Sequence, residues 1–88
     1  MTPRHEPEAQ RFTLPTTPVS VLDYELGAGR VVFTHTGVPS QYRGQGLAAR
    51  LVEAGLQWAR EQGLKVVPAC SYAHAYIQRH PEWQNLIA

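Results

Sequence analysis

The sequence predicts an α+β (α/β) domain in which a mixed, mostly antiparallel sheet contains one parallel strand–helix–strand unit and is followed by short C-terminal helices. The first observation is a β-branched run at 30–36 that leads through a glycine-bearing turn into a long amphipathic helical pattern and then a short apolar run. That order predicts two parallel strands joined by a right-handed crossover. The second is a glycine turn at 27–29 between two strand-like runs, which predicts an antiparallel pair. The third is the length of 88 residues, which suffices for one domain with a small core.

Composition and charge exclude several classes of partner. Hydrophobic residues make up 43% of the chain and charged residues 17%, as in ordinary soluble domains. The net charge of +1 gives no electrostatic reason to expect nucleic acid or a membrane as the partner. A single cysteine, Cys70, cannot form an internal disulfide, and no apolar run has the length of a signal peptide or a membrane span. We therefore expect a cytoplasmic protein.

The N-terminal third is predicted to form strands only. Residues 1–10 are polar and contain prolines, so we expect a flexible lead-in there and a single domain over 11–88. A short run at 11–14, interrupted by Pro15, predicts an edge strand. The alternating run at 19–25 and the β-branched run at 30–36 predict the two strands of the hairpin.

The pattern from Gly44 to Gln62 predicts a long amphipathic helix. Polar and charged residues collect on one face of this helix, which is expected to be wet. Gly63 follows at the place where a left-handed residue ends a helix. The apolar stripe comprises Leu47, Ala48, Leu51, Val52, Ala54, Leu56, Trp58 and Ala59.

A short strand at 64–67 is expected to lie parallel to the strand at 31–36. Pro68 follows it, and a proline in a central strand lacks the N–H that the ladder requires. The two strands are therefore predicted to diverge at Pro68. Such a gap allows a ligand with amide groups to pair with the exposed backbone.

Two short helices are predicted after this gap. Ser71 can cap a helix over 72–79, because its hydroxyl can accept a hydrogen bond from a free backbone N–H. Pro81 stops that helix and suits the first position of a last short helix, with Glu82 in its first turn.

The motif Gln41-x-x-Gly44-x-Gly46 indicates a site for a diphosphate. The first N–H groups of a helix have no internal partner, and glycines remove the Cβ atoms that keep a large anion away. Arg43 adds a permanent charge. A P-loop is excluded because no lysine followed by serine or threonine is present, and a dinucleotide fingerprint requires a glycine where Ala49 stands. The alternative is a glycine turn that only starts a helix.

This motif resembles the pyrophosphate-binding motif of the GCN5-related N-acetyltransferases (Q/R-x-x-G-x-G/A). The second half of the chain further resembles the minimal, YjdJ-type branch of that superfamily through four spaced motifs. These are His35-Thr36-x-Val38-Pro39, Gly44-x-Gly46-Leu47-Ala48, Val67-Pro68-x-Cys70-Ser71-Tyr72 and Tyr76-Ile77-x-Arg79-His80-Pro81-Glu82-Trp83.

The resemblance implies the fold of the GCN5-related N-acetyltransferases (a GNAT-like fold). It also implies that the protein binds acetyl-CoA and transfers the acetyl group to an amine of a protein, a peptide or a small molecule. No helical pattern occurs between residues 11 and 43, so the acceptor site is expected to be open, in a monomer or a homodimer. The pantetheine arm is expected on the backbone of Thr36 and Val38. The residues expected around the diphosphate are Arg43, Gly44, Gln45, Gly46, Leu47 and Ala48.

Three residues are candidates for catalysis. His35 is a possible base, although it can equally be a hydrogen-bonded strand histidine, and water can serve in its place. Tyr76 is a possible acid for the leaving thiolate, with Tyr72 as a competitor, and either can be a core aromatic. Cys70 precedes a helix N-terminus and is a possible acetyl-accepting nucleophile, or a small thiol that packs against the ligand.

Two alternatives to an enzyme remain at this point. One is a non-catalytic acyl-CoA-binding regulatory module, favoured by the missing acceptor-binding helices and the uncertain base. The other is an interaction domain without a ligand, against which Arg43, Gly44 and Gly46 argue. A metal is not expected, because His35, His74 and His80 show no ligand spacing with carboxylates.

Overall fold

Five strands form one sheet in the order β1-β2-β3-β4-β5. The structure is a computed structural model and describes residues 2–88. Neighbouring strands are antiparallel from β1 to β4, and β5 joins β4 in parallel. The mixed α+β fold with one parallel strand–helix–strand unit is therefore confirmed. The strands are β1 (Arg4–Glu6), β2 (Arg11–Leu14), β3 (Ser20–Gly27), β4 (Arg30–Gly37) and β5 (Lys65–Pro68), and the helices are α1 (Leu47–Glu61) and α2 (Ser71–Arg79), with 3-10 turns at Pro7–Ala9, Ser40–Tyr42 and Pro81–Leu86.

The β3–β4 hairpin closes within the predicted glycine turn at 27–29, through its last two residues. Gly27 pairs with Arg30, and the residues between them have positive φ angles, +52° at Ala28 and +77° at Gly29. Two consecutive left-handed residues are the signature of a type I′ turn, whose twist matches that of the flanking strands. An alanine at the first of these positions is strained, because its Cβ crowds the backbone.

The N-terminal segment carries a strand that the sequence pattern does not predict. The expectation that regular structure begins at residue 11 is wrong, and so is the edge position of β2, because Arg4–Glu6 pairs outside it. His5 holds this strand in place. Its ring stacks on Phe12 with centroids 4.2 Å apart, its Nε2 lies 2.6 Å from the Tyr24 hydroxyl, and Trp58 approaches edge-on. A three-residue strand is too short to show alternation in the sequence, and the aromatic contacts of His5 are what stabilise it.

Helix α1 packs on one face of the sheet at very close range. Gly55 lies at the point of closest approach, where an added Cβ would stand 2.8 Å from Leu22 Cδ2 and 2.9 Å from Phe33 Cζ. Leu51, Leu56 and the two contacted side chains are fully buried. The sequence pattern identifies the apolar stripe of α1 correctly, but the glycine within it carries no periodic signal.

A β-bulge in β4 decides which side chains face α1. Tyr24 pairs with Phe33, but Leu22 pairs with Thr36, so β4 has one extra residue between these pairs. An extra residue reverses the alternation of side chains along the strand. Phe33 and Thr36 therefore both lie on the α1 face, and His35 lies on the opposite face.

Candidate functional site

β4 and β5 diverge where the sequence predicts that they should. Their ladder ends at the pair Phe33–Pro68, and the Phe33 carbonyl then accepts hydrogen bonds from the N–H groups of Ala69 and Cys70 at 3.1 and 3.0 Å. β4 continues to Gly37, paired only with β3. The edge of β4 that faces away from β3 is thus without a strand partner from Thr34 onward.

The start of α1 lies directly beyond this end of β4. The helix begins at Leu47 and not at Gly44 as predicted, because Gly44 and Gly46 adopt left-handed φ angles of +85° and +76°. Gly46 offers no capping side chain, and the first turn contains no acidic residue. The first N–H groups of α1 therefore face outward without an intrahelical partner, and the helix dipole adds partial positive charge.

A cleft of about 510 Å³ joins the end of β4 to this helix N-terminus. Most residues predicted to hold the ligand line it, whereas the predicted Gln45 does not. An added Cβ at either glycine of the loop would meet nothing within 4 Å, so the approach to the backbone is open. The lining comprises His35, Thr36, Gly37, Val38, Tyr42, Arg43, Gly44, Gly46, Leu47, Ala48 and Tyr72.

Cys70 lies next to Thr36 at the point where the strands diverge. Its Sγ is 3.2 Å from Thr36 Oγ1 and accepts a hydrogen bond from the Ala73 N–H at 3.4 Å. Cys70 is thus the N-cap of α2, and the predicted cap, Ser71, is the first residue of the helix. The N–H three residues after Ser71 is that of His74, and it already donates to the Cys70 carbonyl at 3.1 Å, so Ser71 has no free N–H to cap there.

His35 is separated from Cys70 by the sheet. The ring of His35 folds over Gly37, so that a Cβ added there would lie 2.9 Å from His35 Nε2 and 3.7 Å from Val21 Cγ2. Val21 and His35 both lie on the face opposite α1. His35 reaches the end of the cleft from the exposed face of the sheet, whereas Cys70 and Thr36 border the gap from the helical face.

Tyr76 is buried in α2 and does not line the cleft. It is 8% exposed, and its ring stacks on His80 with centroids 4.0 Å apart. Burial raises the pKa of its hydroxyl, and the negative charges of Glu53 and Glu82 raise it further. Of the two tyrosines considered as acids, Tyr72 lines the cleft, and it is 40% exposed. Burial also raises the pKa of Tyr72, with a partial reversal by the positive charge of Arg79.

Tyr42 is the cleft residue that sequence reasoning missed. It stands between Gln41 and Arg43 in the motif, at a position that the motif leaves unspecified. Its N–H bonds to the Pro39 carbonyl at 2.9 Å, in the 3-10 turn that leads from β4 to the glycines. Gln41 turns away from the cleft, and its side-chain amide donates to the Thr17 carbonyl at 3.1 Å.

The described residues contain neither a cluster of metal ligands nor a helix that could span a membrane. Among residues 2–88, no three His, Cys, Asp or Glu side chains are grouped closely enough to hold a metal ion. In the same part of the chain, no helix combines the length and the hydropathy needed to cross a membrane.

Comparison with known proteins identifies related sequences and a related fold. Protein NATD1 of Gallus gallus and of Mus musculus are each 40% identical to this chain over 68 residues, which are 76% of this chain and 62% of theirs. Protein NATD1 of Homo sapiens is 40% identical over the same length, with 60% of its own chain covered. The chain therefore spans about three fifths of the relatives that it matches.

The fold has a solved counterpart. The NMR solution structure of a GCN5-like protein from Staphylococcus aureus superimposes with a TM-score of 0.80 at 22% identity, covering 98% of this chain and 86% of that one. Residues 11–86 match the family model described as GCN5-related N-acetyl-transferase. The glycine loop and the four motifs noted above all lie within that range. The chain therefore belongs to the GCN5-related N-acetyltransferase family.

Proposed function

We propose that this protein is an acetyl-CoA-dependent N-acetyltransferase that acts on an accessible amine. The observation that carries the proposal is the uncapped start of α1, with left-handed Gly44 and Gly46, beside a strand whose edge has lost its partner. The first feature fits a diphosphate and the second fits the amides of a pantetheine arm. Family membership supports the assignment of both to one ligand.

The cleft suits this ligand through its backbone. The diphosphate is assigned to the N–H groups of the loop from Arg43 to Ala48, where no side chain obstructs the approach to the glycines. Arg43 lines the cleft and its Nε donates to the Val38 carbonyl at 3.4 Å, which keeps its positive charge beside the loop. The pantetheine amides are assigned to the free edge of β4 at Thr36 and Val38.

Acyl transfer requires a neutral amine, stabilisation of an oxyanion and a proton for the leaving thiolate. On this proposal the acceptor approaches from the exposed face of the sheet, where His35 can accept its proton. Tyr72 supplies a hydroxyl on the other side of the cleft and replaces Tyr76 as the better-placed acid. Residues 11–43 contain no α-helix that could enclose the acceptor, so the site is open enough for the lysine of a protein or a peptide.

Acetyl transfer can follow two routes, which differ in the role of Cys70. In the covalent route the Cys70 thiol gives up its proton and attacks the thioester carbonyl, and CoA leaves as a thiolate that takes up a proton. The amine then displaces the Cys70 sulfur from the acetyl group and loses its own proton to the returning thiolate. In the direct route the amine attacks the thioester itself, and Cys70 serves as the cap of α2. The hydrogen bond that Cys70 Sγ shares with Thr36 Oγ1 and the one that it accepts from the Ala73 N–H are compatible with either role.

A second candidate is an acyl-CoA-binding module without turnover. The specific observation that favours it is the placement of His35 and Cys70 on opposite faces of β4, which prevents them from acting as a nucleophile–base pair in this conformation. In this case the protein binds the ligand and signals its presence to a partner.

Acetyl-CoA consumption with a pool of lysine peptides and polyamines separates these functions. Release of CoA thiol that depends on the added amine supports the enzyme, whereas saturable binding without release supports the module. Intact-mass spectra after incubation with acetyl-CoA distinguish the two routes. The covalent route predicts an added acetyl group on the wild type that is absent from Cys70→Ala, whereas the direct route predicts no acetyl group on Cys70 in the wild type. The His35→Gln variant is expected to lower turnover without changing acetyl-CoA affinity.

A further inference from the structure

A row of charged and ionisable side chains crosses the face of the sheet opposite α1. Each member is the direct cross-strand partner of the next, so the side chains share one face and paired Cβ atoms are about 4.5–5.5 Å apart. The row ends at the proposed base, which also lines the cleft. From β1 to β4 its members are Glu6, Arg11, Asp23 and His35.

The bulge in β4 brings His35 into this row. Without the extra residue, Thr34 would stand opposite Asp23, and His35 would turn toward α1. The bulge instead makes His35 the partner of Asp23, and the Thr34 hydroxyl donates to the Asp23 backbone carbonyl at 3.2 Å beside it. The Asp23 carboxylate and the His35 imidazole are therefore cross-strand neighbours at the end of the cleft.

The carboxylate of Asp23 is not neutralised by a protein cation. Its partner on β2, Arg11, is turned toward β1, where its Nε lies 2.7 Å from Glu6 Oε1. Within residues 2–88, the Asp23 side chain takes part in no salt bridge or hydrogen bond. Asp23 is half-buried and its neighbour His35 is exposed, so a group that reaches the imidazole can also reach the carboxylate.

The other charges of this face are directed elsewhere. Arg4 is 3.9 Å from Glu6, so it too points at that carboxylate and not at Asp23. Glu25 and Arg30 lie toward the hairpin turn, at the end of β3 and β4 that is far from the cleft. Asp23 therefore sets the charge directly beside the proposed base.

We propose that Asp23 selects a lysine that has a second positive charge close by, an inference that rests on the proposed function. The amine that attacks the thioester must be neutral, so its nitrogen gains little from a carboxylate at the moment of attack. The carboxylate is matched instead to a charge that the acceptor keeps. The guanidinium of an arginine near the reacting lysine is such a charge, since it stays protonated and forms strong hydrogen bonds to carboxylates.

The spacing fits a basic peptide segment. Side chains two residues apart on an extended chain point to the same side and lie roughly 6–7 Å apart. The ring of His35 extends along β4 to Gly37, which sets its Nε2 at the cleft end and leaves Asp23 one strand away. A peptide can therefore present its lysine amine to His35 while an arginine two residues away contacts Asp23.

The experiment compares two peptides with blocked termini, Arg-Gly-Lys-Gly-Arg and Gln-Gly-Lys-Gly-Gln. Arginine on both sides of the lysine allows for either direction of the bound peptide. The wild type is expected to acetylate the arginine peptide with a kcat/KM at least about threefold higher. The Asp23→Asn variant is expected to lower this value to that of the glutamine peptide, with kcat/KM for the glutamine peptide and the affinity for acetyl-CoA unchanged.

Glu61→Gln is the matched control. It removes a carboxylate from the exposed last residue of α1 and is expected to retain the wild-type preference for the arginine peptide. Asparagine has the size of aspartate, so an unchanged thermal midpoint is expected for Asp23→Asn and shows that this variant is folded.

Four results would overturn the inference. Equal kcat/KM of the wild type for the two peptides, or a full preference in Asp23→Asn, shows that Asp23 does not read the second charge. An equal loss for both peptides in Asp23→Asn shows that Asp23 acts on His35 or on the fold. Activity on polyamines but on neither peptide overturns the inference alone, whereas the absence of transfer to any amine overturns the proposed function with it.

Discussion

Replacement of Gly55 by valine tests the closeness of helix α1 to the sheet. The new Cβ would lie 2.8 Å from Leu22 Cδ2 and 2.9 Å from Phe33 Cζ, both below the distances that real Cβ atoms adopt. Leu22 and Phe33 are fully buried, so neither can turn into solvent to make room. Either these side chains leave their preferred rotamers or the helix moves away from the sheet.

The magnitude follows from two opposing effects. Overpacking of a well-filled core costs about 1–3 kcal/mol. Removal of a helical glycine returns a few tenths of a kcal/mol when valine takes its place, roughly the difference between their helix propensities. We therefore expect Gly55→Val to lose about 1–3 kcal/mol of unfolding free energy, and its thermal midpoint to fall by about 5–20 °C.

The assay is denaturant unfolding followed by tryptophan fluorescence, with Gln57→Val as the matched control. Gln57 is exposed on the same helix, so this control introduces valine without a steric conflict. The control is expected to stay within about 0.5 kcal/mol of the wild type. Equal stability of Gly55→Val and Gln57→Val would refute the close approach of α1 to β3 and β4.

Two further predictions concern stability. Burial lowers the pKa of His5 below its ordinary value of 6.5, so its contribution to stability is complete above that pH and is lost as the pH falls below it. Thermal unfolding from about pH 7.5 to about pH 5 should therefore destabilise the wild type more than His5→Gln, and parallel curves would contradict this. Ala28→Gly is expected to gain about 0.5–1 kcal/mol in denaturant unfolding, since glycine relieves a φ of +52°, and a loss of stability would contradict the strain at that turn.

The parts of the fold with many repeats of one pattern were predictable from the sequence. The α1 stripe repeats over four turns, and the β4 run is β-branched, so each is identified by its own periodicity. β1 has three residues, too few to show alternation, and it is held by the contacts of His5 with residues from β2, β3 and α1. Such long-range packing leaves no local signal.

The candidate site divides in the same way. The role of Gly44 and Gly46 could be predicted from the sequence, because an anion-binding loop at a helix N-terminus is built from residues that are adjacent in the chain. A one-residue bulge in β4, which has no sequence signature here, decides that Thr36 and not His35 shares the α1 face with Phe33. Arg50 of α1 and Arg79 of α2 line one surface groove although they are 29 positions apart in the chain, so only the tertiary structure shows that they are neighbours.

The central claim is that the start of α1 binds the diphosphate of CoA, and calorimetric titration of CoA into three proteins tests it most directly. Gly46→Glu places a carboxylate in the cleft, whereas Gly63→Glu places one at the other end of α1, where φ is also left-handed, +70° against +76°, and the surroundings are open. The two variants therefore carry similar backbone strain and the same charge change. We predict that the wild type and Gly63→Glu bind CoA with similar affinity and that Gly46→Glu binds at least about tenfold more weakly. Failure of the wild type to bind, or equal binding by Gly46→Glu, would contradict the account.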